Sequence, residues 1–196
     1  MILTHGANSI KRGLSVEIGG KSYPVVRIGD QYWTTENLDW APDGITICSN
    51  AWYYDNNEAT WGWNGRKCGL YYNGPARVAL NSKIAELGNG WRVATNNDFT
   101  TLLTYTNQAG TAGNKLKAAD KDWYSGWNGT DDYGFNLMPT GDRENRFLYA
   151  GSRGFLGFSS TSGIYYGFCC LYKSNDIDVG YHYDSVAFPI RLVKDA

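Results

Sequence analysis

Asp131 and Asp132, adjacent in the segment GTDDYGF, are the carboxylate pair with the clearest chemical reading. Side by side they can hold a cation or divide general acid and base work; in a Gly-bounded segment they also cap and pin a turn. Cleavage of a glycosidic bond needs two carboxylates facing one cleft, and an enzyme of that kind would draw on Asp131, Asp132 or Asp184. The two histidines, His5 and His182, stand in segments that read as exposed and lack the spacing of metal ligands. The serines of GFSSTSG have no base nearby, and GxSxG, HExxH and GxxxxGK[ST] do not occur. No catalytic constellation assembles. The expectation is a protein that is not an enzyme, with no cofactor and no metal.

The four cysteines are Cys48, Cys68, Cys169 and Cys170. Cys48 and Cys68 flank a Trp- and Asn-rich segment, and a disulfide closing it would stabilise by about 3 kcal/mol. Four free thiols is the alternative. Neighbours such as Cys169 and Cys170 are poor partners for each other, and no zinc spacing is present.

A different chemistry is written into GIYYGFCCLYKSNDIDVGYHYDSVA, residues 163–187. Tyrosines, a histidine, carboxylates and small residues alternate there without the order that a core requires. Tyr supplies large contact area at low entropic cost, and small polar residues supply adaptable hydrogen bonds, as in antibody paratopes. The candidate ligand-binding residues are Tyr165, Tyr166, Phe168, Cys169, Cys170, Tyr172, Asp176, Asp178, Tyr181, His182, Tyr183, Asp184 and Ser185. Strand alternation puts Ile177 and Val179 inward, with Asp176 and Asp178 outward. The competing reading is a solvated hairpin whose tyrosines cover a sheet.

The elements that must position this segment follow from composition and punctuation. At 196 residues the chain reads as one domain able to bury a core. Its net charge of −1 lacks the basic footprint that nucleic acid demands. No apolar run reaches the roughly 18 residues that span a bilayer, so membrane insertion is not expected. MILTHGANSIKRGLS has no basic region followed by an apolar one, so no signal peptide is expected in it. With 24 Gly and 15% aromatic residues, the composition fits a turn-rich domain rather than a helical bundle.

LSVEIGGKSYPVVRIGDQYWTTENL reads as short β-rich runs around GGKS and IGD, and residues 41–68 as a long structured loop. PARVALNSKIAELG predicts a helix with apolar Val78, Leu80, Ile84 and Leu87, stopped at Gly88. TNNDFTTLLTYTNQ predicts a second, capped by Asn96 or Asn97, with Phe99, Leu102 and Leu103 at helical spacing. AGNKLKAAD reads as a helical turn or a link. Beyond Gly129, short Gly-bounded runs predict a strand meander. The fold class is α+β: two helices with a short-stranded antiparallel meander, N- and C-terminal strands paired. Residues 1–19 read as an N-terminal arm or lead strand and 20–196 as the ligand-binding domain.

Seven blocks in order carry a family resemblance: RIGDQYWTTENLDW, GLYYNGPA, GNGWRVATNNDFTTLL, AGNKLKA, GTDDYGFNLMPTGDR, FSST and FPIRLVKD. Together, over about residues 20–196, they resemble the Fibrobacter succinogenes major paralogous domain. The resemblance implies a C-type-lectin-like fold. It implies that Trp33, Leu38, Trp91 and Phe99 are core, that Asp131, Gly134 and Phe135 fix a turn, and that Phe188, Ile190 and Leu192 face inward. This chain has GWRVATN where the family has a GWHLPS-type helix start, so a looser start is expected. The EPN and WND elements of calcium-dependent sugar-binding lectins are absent, so lectin activity does not carry over.

The family also resembles the variable proteins of diversity-generating retroelements. There, adenine randomisation of AAC-type codons reaches Tyr, His, Asp, Ser, Ala, Gly, Val, Phe and Cys, and never Trp, Met, Lys, Glu or Gln. Between Ser162 and Ile190 only Lys173 belongs to the second set. A β-rich segment disfavours Lys and Glu as well. On this resemblance the chain is a display protein with a diversified C-terminal surface, a phage receptor-binding or tail-tip protein carried on the virion. Its partner would be a protein or glycan receptor on a target cell surface, and a homo-oligomer, a trimer, is the assembly such tips imply. The alternative is a bacterial cell-surface adhesion or structural module.

Overall fold

The computed structural model describes residues 13–57, 62–63, 65–106, 112–119, 123–124, 126–162, 164–172 and 177–196. His5, Lys173 and Asp176, named above, lie outside these residues, as does most of the expected N-terminal arm.

The chain opens with three strands, β1 (Ser15–Ile18), β2 (Lys21–Ile28) and β3 (Gln31–Thr34). Two-residue turns at Gly19–Gly20 and Gly29–Asp30 join them, and Gly19, Gly20 and Gly29 all take the positive φ such turns need. Alternation buries Val16, Ile18, Tyr23, Val26 and Ile28. The long loop carries the short strands β4 (Ala51–Trp52), β5 (Gly62–Trp63), β6 (Arg66–Lys67) and β7 (Tyr71–Tyr72). Cys48 in that loop is exposed, Cys68 is buried, and none of the four cysteines forms a disulfide.

Helix α1 (Gly74–Ala85) is capped by the Asn73 side chain, which accepts from the Ala76 N–H at 3.0 Å. Its buried face is Ala76, Arg77, Leu80 and Ile84, while Val78 and Leu87, expected to be apolar contacts, are exposed. After β8 (Arg92–Val93) comes α2 (Asn96–Tyr105). Its cap is Thr95, not Asn96 or Asn97: Thr95 Oγ1 accepts from the Asp98 N–H and the Asp98 carboxylate accepts from the Thr95 N–H. This reciprocal capping box fixes a start that needs no proline, so the looser start does not occur. A short α3 (Ala112–Leu116) follows.

The second half holds β9 (Asp142–Arg143), β10 (Phe147–Leu148), β11 (Arg153–Ser162), β12 (Tyr165–Tyr172), β13 (Ile177–Tyr183) and β14 (Leu192–Asp195). Among the described residues the strands form a five-stranded antiparallel sheet, β1-β2-β3-β14-β8, and a three-stranded one, β11-β12-β13, with small hairpins beside them. The last strand lies between β3 and β8, so the C-terminus closes the sheet that the N-terminal half begins. The architecture is α+β, antiparallel, with few helices. Trp33, Leu38, Trp91, Phe99, Phe135, Phe188, Ile190 and Leu192 are all buried. Asp131 takes positive φ, and its carboxylate accepts from the Asn136 N–H at 2.7 Å, pinning the turn to Phe135.

Two buried guanidinium groups tie the irregular backbone to this frame. Arg191 donates to Thr34 O at 3.2 Å, Asn136 O at 2.8 Å, Asn37 Oδ1 at 3.0 Å and to Phe135 O. Arg77 donates to Phe158 O at 3.0 Å, Tyr72 O at 2.9 Å and Val186 O at 3.4 Å. Burial pushes both pKa values down to about 9, which leaves both charged at neutral pH. Arg191→Met is expected to lower unfolding free energy by about 3–5 kcal/mol, since it orphans several buried oxygens at once. Urea denaturation measures it, and a loss below about 1 kcal/mol would show that water replaces the guanidinium.

Candidate functional site

The C-terminal segment forms β12 and β13 of the three-stranded sheet, and register assigns each side chain to a face. Directly opposed residues share a face and neighbours along a strand point to opposite faces. Leu171↔Ile177, Cys169↔Val179, Gly167↔Tyr181 and Tyr165↔Tyr183 define one face. Cys170↔Asp178, Phe168↔Gly180 and Tyr166↔His182 define the other.

The first face is split along its length. Leu156, Cys169 and Leu171 belong to the main core, with Ile177 packed against it. On the same face Val179, opposite Cys169 on the edge strand, is exposed, and further along so are Tyr181, Tyr183 and Tyr165, Tyr183 by 56%, with the rings of Tyr165 and Tyr183 5.2 Å apart. Ile164, in the turn before β12, is 67% exposed beside them. Gly167 sits at the divide: a Cβ there would run into the Asn96 side chain at the start of α2. Helix α2 therefore covers one half of the face and stops. Val179, expected inward, has the inward parity and pairs with the buried Cys169, but it stands on the edge strand of the sheet and is exposed.

The second face is an anchor. The rings of Phe155 and Phe168 lie 5.2 Å and 5.4 Å from that of Phe188, and the half-buried His182 ring meets Phe168 and Phe188 edge-on. Arg77 lies beneath, its guanidinium 5.8 Å from the Tyr166 ring and 5.3 Å from that of Phe188. A Cβ at Gly74 would collide with Tyr166, so the glycine makes room for the ring against α1. The loop after β13 is held as well, because the Gly74 N–H donates to Asp184 O at 2.8 Å.

The candidate residues thus divide three ways. Tyr165, Asp178, Tyr181, Tyr183, Asp184 and Ser185 are exposed, and Tyr166, Tyr172 and His182 are half-buried. Phe168, Cys169 and Cys170 are buried, which removes their side chains from any contact surface. Adjacent on one strand, Cys169 and Cys170 point to opposite faces and are not bonded. Burial pushes both thiols up, Cys170 to about 12, so neither is a ready nucleophile. Asp131 is spent on its turn, and among the described residues no three His, Cys, Asp or Glu side chains gather to hold a metal.

Sequence reasoning passed over Ile164, and also Arg77. The spacing Arg77, Leu80, Ile84 was the available signal, since it places a cation on the apolar stripe of α1. It also passed over Asp142, which is buried with Oδ1 lacking a hydrogen-bond partner. Burial first, then Glu144, push its carboxyl up to about 7, against the opposing pull of Arg153. Arg153 lies 3.8 Å over the Tyr149 ring and 5.1 Å from that of Tyr172 at the edge of the second face.

The family model described as the Fibrobacter succinogenes major domain matches residues 26–194, from within β2 into β14. A search of curated proteins found no match, and neither did a search of solved structures.

Two outcomes follow from this geometry. Tyr181→Ala and Tyr183→Ala should each shift stability by no more than about 0.5 kcal/mol, whereas Phe168→Ala should lower it by about 3–5 kcal/mol. Comparable losses at all three, by thermal or urea unfolding, would show the exposed tyrosines to be structural. For Asp142 the folded pKa lies above the unfolded one. Stability from this group is full below about pH 4 and is lost as pH rises through about 7, by on the order of 4 kcal/mol. Asp142→Asn should flatten that part of the wild-type pH profile; superimposable profiles would place the carboxylate in contact with water.

Proposed function

The chain belongs to the Fibrobacter succinogenes major domain family, and on that premise we propose a non-enzymatic, ligand-binding display protein of C-type-lectin-like fold. Its C-terminal hairpin is the diversified surface, of the kind that diversity-generating retroelements vary. One observation carries this reading. One face of the β12–β13 pair locks Cys169, Leu171 and Ile177 into the core and leaves Tyr165, Val179, Tyr181 and Tyr183 open.

A surface meant to vary needs that arrangement. Its contact side chains must change without touching the packing that orients them. Here the orienting side chains point the other way, into the Phe155–Phe168–Phe188 stack and onto Arg77. The exposed set is Tyr, Val, Asp and Ser, all within reach of AAC-type randomisation, and its tyrosines suit recognition. The C-type-lectin-like assignment is supported by a terminal strand lying beside β3, with the two longer helices and the short α3 preceding the strand meander. The setting we propose is a phage receptor-binding or tail-tip protein, assembled as a trimer, engaging a protein or glycan on a target cell. No helix among the described residues is long and apolar enough to cross a membrane.

Sequencing this gene from many clones of its source population tests the reading. Substitutions should fall in AAC-type codons of the hairpin, at Tyr165, Val179, Tyr181, Tyr183 and their exposed neighbours, with Phe168 and the Arg77 contacts constant. Substitutions spread evenly along the gene would overturn a diversified surface. Neighbouring genes decide the setting: tail genes and a reverse transcriptase for a phage protein, a lipoprotein operon for a bacterial surface module.

A further inference from the structure

Strand β13 ends its sheet. Among the described residues it is hydrogen-bonded to β12 alone, and in an antiparallel pair alternate residues turn their N–H and C=O groups away from the partner. Among the described residues, no backbone hydrogen bond leaves the outer side of Ile177–His182. The opposite edge of the same sheet is treated differently. Along β11, Arg153 O accepts from the Gly141 N–H, the Gly157 N–H donates to Pro189 O, and the Ser159 N–H donates to Ala94 O, each at 2.8–2.9 Å. One edge is sealed to the body of the domain and the other is open.

Open edges of soluble proteins are kept short, bulged, or guarded by Lys or Pro. The edges of the five-stranded sheet obey this, β1 with four residues and β8 with two. β13 does not. It runs for seven residues, contains no Pro, Lys or Arg, and keeps an unbroken register with β12, whereas the β11–β12 register shifts between Gly157 and Thr161. Every residue of β13 is at least partly exposed. At about 3.4 Å per residue the edge is roughly 24 Å long, enough to pair with a segment of similar length.

The side chains along this edge describe what fits it. On one face stand Val179, Tyr181 and Tyr183; on the other stands Asp178, with Asp184 exposed just beyond the strand. The described residues of β12 and β13 carry no cation. We propose that the ligand is a protein that adds an extended segment to the free edge of β13, apolar on the tyrosine face and bearing Lys or Arg on the Asp178 face. Backbone pairing gives a diversified surface a sequence-independent source of affinity, and the variable tyrosines then select among segments. The negative charge of the edge favours a basic segment over a second copy of β13. This rests on the hairpin being the binding surface and narrows its partner from protein or glycan to protein.

The probe is the peptide acetyl-VKTKYKVK-amide, titrated into the full ¹⁵N-labelled chain, together with two versions N-methylated at one or the other alternate set of residues. Shifts should centre on β13 amides. Methylation of one set should weaken binding at least tenfold and that of the other should leave it nearly unchanged, because only one set faces the edge. Asp178→Asn should weaken the parent peptide at least threefold. Equal affinity of all three peptides, with shifts confined to the tyrosines, would overturn strand addition while leaving the hairpin a binding surface. No response at millimolar peptide would overturn it too, and the gene survey would still judge the surface independently. A dimer in sedimentation with β13 amides protected before any peptide is added would give the edge to a second copy, contradicting the partner proposed.

Discussion

The structure depends on what a buried guanidinium does for backbone that no strand or helix satisfies. Much of the chain between its elements is irregular, and a buried carbonyl without a donor is costly. Arg191 collects oxygens from the end of β3, from Asn37 and from the Asp131–Asn136 turn at one point next to β14. Asn37 relays that point to the long loop by donating from Nδ2 to Cys68 O at 2.8 Å. Arg77 performs the same service for the end of β7, for Phe158 where the register of β11 with β12 shifts, and for the loop after β13. Among the described residues neither forms an ion pair; carbonyl dipoles stand in for carboxylates, and Phe135 and Phe188 cover the flat faces of the cations.

This arrangement accounts for the division of labour in the hairpin. Because Arg77 and the phenylalanine stack hold β12 and the following loop from one side, the other side of the same strands is free of structural duty wherever α2 does not reach. The boundary is sharp because Gly167 accepts the Asn96 side chain directly against the strand. Cys169 stands on the core side of that glycine and Tyr165 on the solvent side, two residues away in each direction.

Much of the frame was legible in the sequence. Gly19–Gly20 and Gly29–Asp30 punctuate β1–β3, and the periodicity of Leu80, Ile84, Phe99 and Leu102 marks the two longer helices. What failed did so for identifiable reasons. A period of two gives the face of Val179 but not that its strand will be the edge of the sheet, where that face is left open. A cysteine pair in a tyrosine-rich run reads as surface, yet Cys is also a small apolar side chain and packs as one here. Arg77 and Asp142 were hidden by the rule that charges face water, a rule that holds until a carbonyl cluster or a protonated carboxyl replaces the solvent. The candidate site was therefore found as a segment and corrected residue by residue.

A saturation scan of folded abundance across the whole chain tests the central claim most directly. The account predicts that Arg77, Arg191, Phe168, Phe188 and Gly167 tolerate almost nothing. Tyr165, Val179, Tyr181 and Tyr183 should accept most residues, in a pattern that follows the faces of β12 and β13 rather than their sequence. Intolerance spread evenly over both faces of the hairpin would contradict it, because the tyrosines would then be holding the scaffold instead of standing on it.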